Sequence, residues 1–293
     1  MAGPATASLP LTPALLRQLE RWLAEDLGRG DLSAPALVGR HGRAHWQCKA
    51  DGVFCGGVLV EPLFRLLDPA LQVRLLVADG EPVRAGQRLL ELEGAATALV
   101  AGERTALNLA MRLSGVATAT AALVAQLEGS GVRLADTRKT TPGLRVLEKY
   151  AVRCGGGVNH RLGLDDAAML KENHLAWSGG VGPAIAAVRA AAPWPARVIV
   201  EAETAAEAEA AVRAGADALL LDEFQPEELA ALVPRLRAQA RAGGVVLEAS
   251  GVRPEQLRAY AATGIDLIST SAPATRSAWL DLSMRFQSPF PLV

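Results

Sequence analysis

The segment from Asp136 to His174 concentrates basic side chains in a chain whose total charge is almost neutral. It reads DTRKTTPGLRVLEKYAVRCGGGVNHRLGLDDAAMLKENH. Its basic side chains are Arg138, Lys139, Arg145, Lys149, Arg153, His160, Arg161, Lys171 and His174. Arginine presents a planar fork that suits carboxylates and phosphates, whereas lysine places a compact charge on a single oxygen. The mixture predicts a site for a ligand with several negative charges.

Composition narrows the class of protein that could carry this site. The 293 residues hold 30 Lys and Arg against 31 Asp and Glu, a net charge of −1. Proteins that bind the phosphate backbone of nucleic acids are normally basic, so we expect no nucleic-acid partner. Cys48, Cys55 and Cys154 lack zinc-ligand spacing and are expected to be reduced thiols. We see no signal peptide and no unbroken apolar run of membrane length, and predict a soluble cytoplasmic protein.

The second half of the chain alternates short apolar runs with Ala-rich, helix-like segments. The runs are VRLAD (132–136), AAML (167–170), RVIV (197–200), ALLL (218–221), VVLE (245–248) and DLIS (266–269). This alternation predicts parallel strands joined by crossover helices, and an α/β barrel is their closed arrangement. Six units are clear, fewer than the eight of a complete barrel.

The first third has a different pattern. Apolar spacing predicts a helix over 13–27, and Gly-punctuated runs over 43–97 predict strands and tight turns. The piece VADGEPVRAGQRLLELEG resembles the barrel-sandwich of lipoyl and biotinyl carriers, but it lacks the carrier lysine and is interpreted as scaffold. A long apolar helix is predicted over 102–127. We predict a first domain of residues 1–113, joined by the tail 275–293, and a barrel domain of residues 114–274.

Polar residues follow every one of the six apolar runs. They are Asp136, Arg138 and Lys139, then Lys171 and Asn173, then Glu201, then Asp222, then Ser250 and Gly251, then Ser269, Thr270 and Ser271. Chemistry in α/β barrels lies at the carboxyl ends of the strands, so these residues predict a site at that end.

Two pairs of strand ends suggest separate roles. Glu201 and Asp222 suit Mg²⁺ held jointly with substrate oxygens, although they could simply balance nearby cations. Backbone N–H groups around Ser250–Gly251 and Ser269 to Ser271 could bind a phosphate, although Ser-Gly is also an ordinary turn.

Two further features have competing interpretations. Gly155 to Gly157 could let the backbone approach a ligand, or could simply end a helix. Lys149 and Arg153 lie four residues apart beside Glu148 and are interpreted as a solvated helical face.

Motifs in order along almost the whole chain resemble those of the quinolinate phosphoribosyltransferase family. They are EDLGRGDLS, ERTALNLAMRLSGVATAT, DTRKTTPGLRVLEKYAVRCGGGVNHRLGL, LKENH, VEAE, LLLDEF, EASG and LDLSMRF. The resemblance implies a mixed α/β N-terminal domain and an open α/β barrel. It also implies the reaction of quinolinate with 5-phosphoribosyl 1-pyrophosphate, which gives nicotinate mononucleotide, pyrophosphate and CO₂ in NAD biosynthesis.

The resemblance also implies roles for individual residues. Those holding the two pyridine carboxylates would be Arg138, His160 and Arg161, with Thr137 beside them and Arg104 reaching across from a second subunit of a homodimer. Lys139 and Lys171 would face the carboxylates and the phosphoribosyl group. Glu201 and Asp222 would bind ribose hydroxyls and Mg²⁺, and the four groups Lys139, Lys171, Glu201 and Asp222 would carry the catalysis. Arg104 could instead form a helix-surface ion pair with Glu103 or another neighbour.

The same resemblance assigns the 5-phosphate to Ser250, Gly251, Ser269, Thr270 and Ser271. Two departures from the family pattern fall here. Val252 stands where a second glycine is frequent, and Pro273 has no backbone N–H to donate.

Three rival hypotheses remain open. A Schiff-base lyase could use Lys171 as its nucleophile. A related phosphoribosyltransferase would use another acceptor. An anion-binding regulatory module would bind without catalysis, although Glu201 and Asp222 would repel an anion unless a metal intervened.

Overall fold

The computed structural model describes residues 7–287, which divide into two compact units. The first unit contains the chain up to Ala121, Leu147–Gly156 and the chain from Arg276; the second contains Ala122–Val146 and Gly157–Thr275. The predicted domain limits stay a prediction, and residues 288–293 of the predicted tail lie outside the described residues.

The first unit is built on antiparallel strands. They are β1 His41–Cys48, β2 Gly52–Val53, β3 Gln72–Leu75, β4 Pro82–Val83, β5 Arg88–Ala95 and β12 Leu282–Gln287. Four of them form a sheet in the order β12-β1-β5-β3, and β2 pairs with β4. The side chains of β1 alternate, with Ala44, Trp46 and Cys48 buried, as expected for a sheet with one face on the core.

The first unit also contains helices. They are α1 Pro13–Leu27, α2 Val60–Arg65 and most of α3 Ala96–Val124 and of α4 Arg145–Cys154, with short 3₁₀ turns at Ala34–Leu37 and Gly57–Leu59. The 3₁₀ turn Ala125–Leu127 after α3 belongs to the second unit. The predicted helix over 13–27 is confirmed. Thr12 caps it by accepting from the N–H of Leu15 at 3.2 Å, and Leu15, Leu19 and Leu23 form its buried stripe.

Helix α3 begins six residues before the predicted start. Gly102 was interpreted as the start, but it lies inside the helix, where a Cβ would stand 2.6 Å from the Phe64 ring. The glycine therefore permits close packing and does not begin the helix. Residues Ala96–Leu127 meet the length and hydropathy criteria of a membrane span, yet half of the apolar window is buried, and core helices of soluble proteins meet the same criteria.

The prediction that α4 presents a solvated charged face is wrong for two of its three residues. Glu148 and Lys149 are buried, and only Arg153 is exposed. Arg112 compensates the buried carboxylate by donating to Glu148 at 2.7 Å. A buried carboxylate needs such a partner, and the partner comes from α3, far away in sequence.

The structure distinguishes between the two interpretations of the glycines after α4, a close approach to a ligand and a helix stop. A Cβ at Gly155 would stand 2.4 Å from the carbonyl oxygen of Ala117, so this glycine allows α3 and α4 to approach. Gly156 has a φ of 87°, the left-handed conformation that ends many helices. The helix-stop interpretation therefore applies to these two residues.

The second unit contains a six-stranded parallel sheet. Its strands are β6 Arg133–Ala135, β7 Ala168–Leu170, β8 Val198–Ala202, β9 Ala218–Leu221, β10 Val246–Ala249 and β11 Leu267–Ser269. They follow the order β6-β11-β10-β9-β8-β7, with β6 and β7 at opposite edges. All six predicted runs are strands, and the predicted mixed α/β fold is confirmed.

Crossover helices connect these strands. They are α5 Glu172–Trp177, α6 Val181–Ala191, α7 Ala205–Ala214, α8 Pro226–Gln239 and α9 Leu257–Ala261, with a 3₁₀ turn at Pro254–Gln256. The short helix α10 Ala272–Arg276 follows β11, the last strand of this sheet in the chain. One face of the sheet packs with them into a large apolar core that includes Val200, Leu219, Leu247 and Ile268. The opposite face has only a small apolar cluster around Ile199, Ala218 and Leu220, so its remaining inward side chains can be polar.

Candidate active site

The period of two along a strand places ionisable side chains on the face opposite the helices. Glu201 follows Ile199 by two residues, and Glu248 follows Val246 by two. Ile199 and Val246 belong to the small apolar cluster on that face. The two carboxylates therefore lie above this cluster, toward the carboxyl edge of the sheet.

Lys171 and Glu201 meet because their strands are in register. Leu170 pairs with Val200, so the next residue on each strand lies side by side. The Lys171 ammonium donates to Glu201 Oε2 in a short ion pair. The Lys171 side chain is 47% exposed and that of Glu201 only 13%, which leaves the ammonium accessible to a ligand.

Glu201, Glu203 and Asp222 form a cluster of carboxylates. One oxygen from each lies within 4.8 Å of the others. Carboxylate oxygens are the ligands that Mg²⁺ takes in proteins, so this donor set fits the ion predicted for Glu201 and Asp222. The sequence interpretation missed Glu203, although its spacing of two residues from Glu201 in VEAE indicates the same face of the strand.

Asp136 organises the loop that follows the glycine run. Its carboxylate accepts from Asn159 Nδ2 at 2.6 Å and from the backbone N–H of His160 at 2.8 Å. Asp136 is itself buried directly after β6. These bonds bring His160 to the carboxyl edge of the sheet, although 24 residues separate it from Asp136.

The His160 ring lies between a backbone donor and a buried acid. Its Nδ1 accepts from the N–H of Arg161 at 2.7 Å, so the ring proton belongs on Nε2. That nitrogen faces Glu248 Oε2 at 3.3 Å. Glu248 is only 2% exposed, and its Oε1 has no hydrogen-bond partner among the described residues. Sequence interpretation did not name Glu248 as a site residue, although it lies in the EASG motif.

Arg138 and Arg161 place two positive charges in the same region. Burial lowers the pKa of the Arg161 guanidinium, and the positive charge of Arg138 lowers it further. Arg161 is fixed by donating to the carbonyl of Ala167 at 2.9 Å. Two neighbouring guanidinium groups favour an anion between them.

The predicted residues beside Arg138 lie on an exposed loop. Thr137 Oγ1 accepts from the N–H of Lys139 at 3.0 Å, and the Lys139 side chain extends toward solvent. Arg145 holds this loop by donating to Thr140 Oγ1 at 3.0 Å and to the carbonyl of Leu162 at 3.3 Å. Arg145 thereby links the loop after β6 to the loop after His160.

The predicted phosphate donors lie at the same edge. The N–H of Ser250 donates to the carbonyl of Leu221, and the N–H of Thr270 donates to that of Ala135. Gly251 has a φ of 74°, and a Cβ there would stand 3.7 Å from Asp222 Oδ1. This places the Ser250–Gly251 turn beside the acidic cluster.

The two departures from the family pattern have structural explanations. Val252 is 7% exposed and packs into the apolar core of the second unit. Pro273 is the second residue of α10, in the first turn, where a backbone N–H has no partner within the helix. Neither residue removes a donor that the helix itself would use.

Arg104 is the predicted site residue that belongs to the first unit. It lies on α3, is exposed, and forms no ion pair with any carboxylate of residues 7–287. Within that part of the chain Arg104 and Glu103 form no ion pair, although burial raises the pKa of Glu103 and the charge of Arg104 lowers it. The other predicted residues all belong to the second unit, at or after the carboxyl ends of its strands.

Comparison with known proteins gives a consistent result over nearly the whole chain. Residues 116–285 match the C-terminal domain of quinolinate phosphoribosyl transferase, and residues 31–114 match its N-terminal domain. The chain is 44% identical over 270 residues to a probable nicotinate-nucleotide pyrophosphorylase [carboxylating] of Synechocystis sp., covering 91% of this chain and 90% of the relative. It is 38% identical to the nicotinate-nucleotide pyrophosphorylase [carboxylating] of Homo sapiens, covering 97% and 94% of the two chains.

A solved structure supports the same assignment. The nicotinate-nucleotide pyrophosphorylase from Francisella tularensis superposes with a TM-score of 0.89 at 35% identity, covering 96% of this chain and 98% of that one. Fold, sequence and domain order therefore agree, and the chain belongs to the quinolinate phosphoribosyltransferase family.

Proposed function

We propose that this chain transfers the phosphoribosyl group of 5-phosphoribosyl 1-pyrophosphate to the ring nitrogen of quinolinate. Pyrophosphate and CO₂ are released, and the product is nicotinate mononucleotide for NAD biosynthesis. The observation that carries the proposal is the carboxyl edge of the parallel sheet. There the ion pair of Lys171 with Glu201 lies at the strands that also bring Glu203 and Asp222 together.

The dicarboxylate end of this site is formed by Arg138, His160 and Arg161. Two guanidinium groups that repel each other gain most from a ligand with two negative charges. His160 is held from both sides, by the N–H of Arg161 and by Glu248. Orientation of the pyridine ring is therefore set before the second substrate reacts.

The phosphoribosyl end uses the acidic cluster. Glu201 and Asp222 bind ribose hydroxyls, and with Glu203 they would hold Mg²⁺. The ion, when bound, neutralises charge on pyrophosphate oxygens. Lys139 and Lys171 supply further positive charge to the same oxygens and to the carboxylates.

The 5-phosphate is assigned to the turns that end β10 and β11. The proposed donors are the backbone N–H groups of Gly251 and Ser271 and the hydroxyls of Ser250, Ser269, Thr270 and Ser271. The N–H groups of Ser250 and Thr270 already donate to the carbonyls of Leu221 and Ala135. The carbonyl of Ser271 accepts from the N–H of Thr275 at 2.9 Å, so the turn at Ser271 leads directly into α10.

Catalysis by this arrangement consists of positioning and electrostatic stabilisation. The bond from the anomeric carbon to pyrophosphate breaks as the pyridine nitrogen bonds to that carbon. Glu201 and Asp222 stabilise the positive charge that develops on the ribose. The ring becomes a pyridinium, which stabilises the carbanion left when the 2-carboxylate departs as CO₂, and the carbanion then takes a proton.

No covalent nucleophile is required in this mechanism. A Schiff-base lyase would need the Lys171 nitrogen free to attack a carbonyl, whereas that nitrogen donates to Glu201. The ion pair therefore favours phosphoribosyl transfer over the lyase.

A homodimer is part of the proposal, with Arg104 contributed by one subunit to the quinolinate site of the other. Its support is that Arg104 is exposed and has no ion pair within residues 7–287. A cytoplasmic location is also proposed, supported by free Cys48, Cys55 and Cys154, since the cytosol keeps thiols reduced.

The test is a product assay on the purified protein. Quinolinate, phosphoribosyl pyrophosphate and Mg²⁺ are expected to give nicotinate mononucleotide and CO₂ in equal amounts. Omission of either substrate, or chelation of the metal, should stop both products. If nicotinate in place of quinolinate gave product at a comparable rate, the protein would instead be a phosphoribosyltransferase with another acceptor.

A further inference from the structure

The amino ends of the same parallel strands surround a cavity of about 760 Å³. It is lined by residues that begin or directly precede the strands, including Arg133 at β6, Arg197 before β8, Asp217 before β9 and Asp266 before β11. The cavity lies at the opposite edge of the sheet from the candidate active site. None of the residues assigned to quinolinate or phosphoribosyl pyrophosphate lines it.

Both aspartates of the cavity are already paired. Asp217 accepts from Arg189 at 3.1 Å and from the N–H of Val198 at 2.7 Å. Asp266 accepts from Arg237 at 2.8 Å and from the N–H of Leu247 at 2.7 Å. Each aspartate accepts from a backbone N–H with one oxygen and from an arginine with the other. Neither aspartate is therefore available to pair with another arginine of the cavity.

Three other arginines of the cavity have no such partner. Arg133, Arg197 and Arg241 are exposed and form no ion pair or side-chain hydrogen bond within residues 7–287. The Arg241 guanidinium lies over Gly215, where a Cβ would stand 2.5 Å from its Cζ. The lining contains five arginines against two acids, an excess of three positive charges. Such an excess in a concave surface favours an anionic ligand.

An aromatic side chain stands at this cavity. Trp194 lines it and is 96% exposed. An exposed indole next to arginines is suited to stack on a flat heterocycle whose attached phosphates meet the guanidinium forks. The volume lies within the range of small-molecule sites, about 300–1,000 Å³. We propose that this cavity is a second ligand site, which binds a nucleoside di- or triphosphate with its base on Trp194 and its phosphates on Arg133, Arg197 and Arg241.

In the experiment the full-length protein is titrated with ATP, and binding is measured by calorimetry and by tryptophan fluorescence. We expect saturable binding with fluorescence quenching. The double variant R197A/R241A should weaken ATP binding at least tenfold. The variant W194F should lose the fluorescence quenching and should weaken ATP binding by a smaller factor. Inorganic triphosphate should bind with the same dependence on the arginines, and adenosine should bind weakly or not at all.

Three controls separate this site from the candidate active site. R258A removes an exposed arginine of α9 that does not line the cavity, and it should bind ATP as the wild type does. K139A should also keep ATP binding, because Lys139 belongs to the other edge. R197A/R241A should unfold at the wild-type temperature and turn over quinolinate normally, since neither arginine has a partner to lose.

Two outcomes would overturn the proposal. One is that ATP does not bind the wild type. The other is that ATP binding survives R197A/R241A but is lost in K139A or competed by phosphoribosyl pyrophosphate, which would locate ATP in the active site. Failure of the quinolinate assay would not affect the result, because the two sites share no residue.

Discussion

The two edges of the parallel sheet contain the same residue types, but these residues serve different purposes. At the amino edge, Asp217 and Asp266 each bind one strand N–H and one arginine, so every carboxylate oxygen has a partner. At the carboxyl edge, Glu248 keeps a buried oxygen without a partner among the described residues, and Arg161 lies near a second guanidinium. Satisfied charges hold strands together, whereas unsatisfied charges are available to a ligand.

The amino-edge pairs form an internal repeat. Gly215-Ala-Asp217 and Gly264-Ile-Asp266 precede β9 and β11, and in both cases an arginine from the last turn of a helix binds the aspartate and the glycine carbonyl. The same motif with the same contacts at two strands indicates a framework role. No such repeat exists among the acids described at the carboxyl edge.

The largest expected effect concerns the lysines of the carboxyl edge. K139A and K171A should each lower kcat/KM by about 10²–10³, the usual cost of removing one group that stabilises developing charge. K139A should leave thermal unfolding unchanged, because the Lys139 side chain is exposed. K171A should lower the unfolding temperature slightly, because the largely buried Glu201 carboxylate loses its partner. K49A, at an exposed lysine of the first unit, is the matched control. Near wild-type turnover in both variants would remove the carboxyl edge from the mechanism.

Glu248 gives the next largest effect. E248Q keeps the shape of the side chain but removes the charge that faces His160 Nε2. We expect the KM for quinolinate to rise about tenfold, as for the loss of one oriented hydrogen bond to a charged group, with the KM for phosphoribosyl pyrophosphate little changed. The unfolding temperature should not fall, because the variant removes a buried, incompletely paired charge. Equal increases in both KM values would indicate a general structural role.

The amino edge should respond in the opposite way. D266N and D217N should each lower the free energy of unfolding by about 1–2 kcal/mol, since each loses a charge-assisted bond to a strand N–H at a partly exposed position. Turnover of the folded enzyme should stay within about twofold, because stability and chemistry reside at different edges. Urea denaturation followed by circular dichroism measures the first quantity, with exposed Glu255→Gln as the control. Loss of turnover without loss of stability would contradict the comparison.

The smallest expected effect concerns the acid that sequence interpretation missed. E203Q should raise the Mg²⁺ concentration for half-maximal activity a few-fold, because one of three clustered carboxylates is lost. Saturating Mg²⁺ should restore most of the activity. An unchanged Mg²⁺ requirement would remove Glu203 from the proposed metal site.

Local patterns were sufficient to predict the strands and the polar residues at their ends. All six apolar runs are strands, because each combines β-forming residues with the turn or polar residue that stops it. The partner of each strand-end residue was harder to predict from the sequence. Lys171 and Glu201 meet through strand register, and His160 meets Glu248 across 88 positions of sequence. Neither contact leaves a local pattern.

Burial was the least predictable property. Lys149 and Glu148 have the spacing of a solvated face, yet α3 covers them and supplies Arg112 as the partner. Gly102 looked like the start of a helix but lies inside α3 and permits close packing by Phe64. In each case a tertiary contact overrides the local preference.

The most direct measurement is a crystal structure of the protein with quinolinate. We expect density at the carboxyl edge of the sheet, with the pyridine carboxylates within hydrogen-bond distance of Arg138 and Arg161 and the ring beside His160. Quinolinate bound elsewhere, with no density between Arg138 and Arg161 at a saturating concentration, would contradict it.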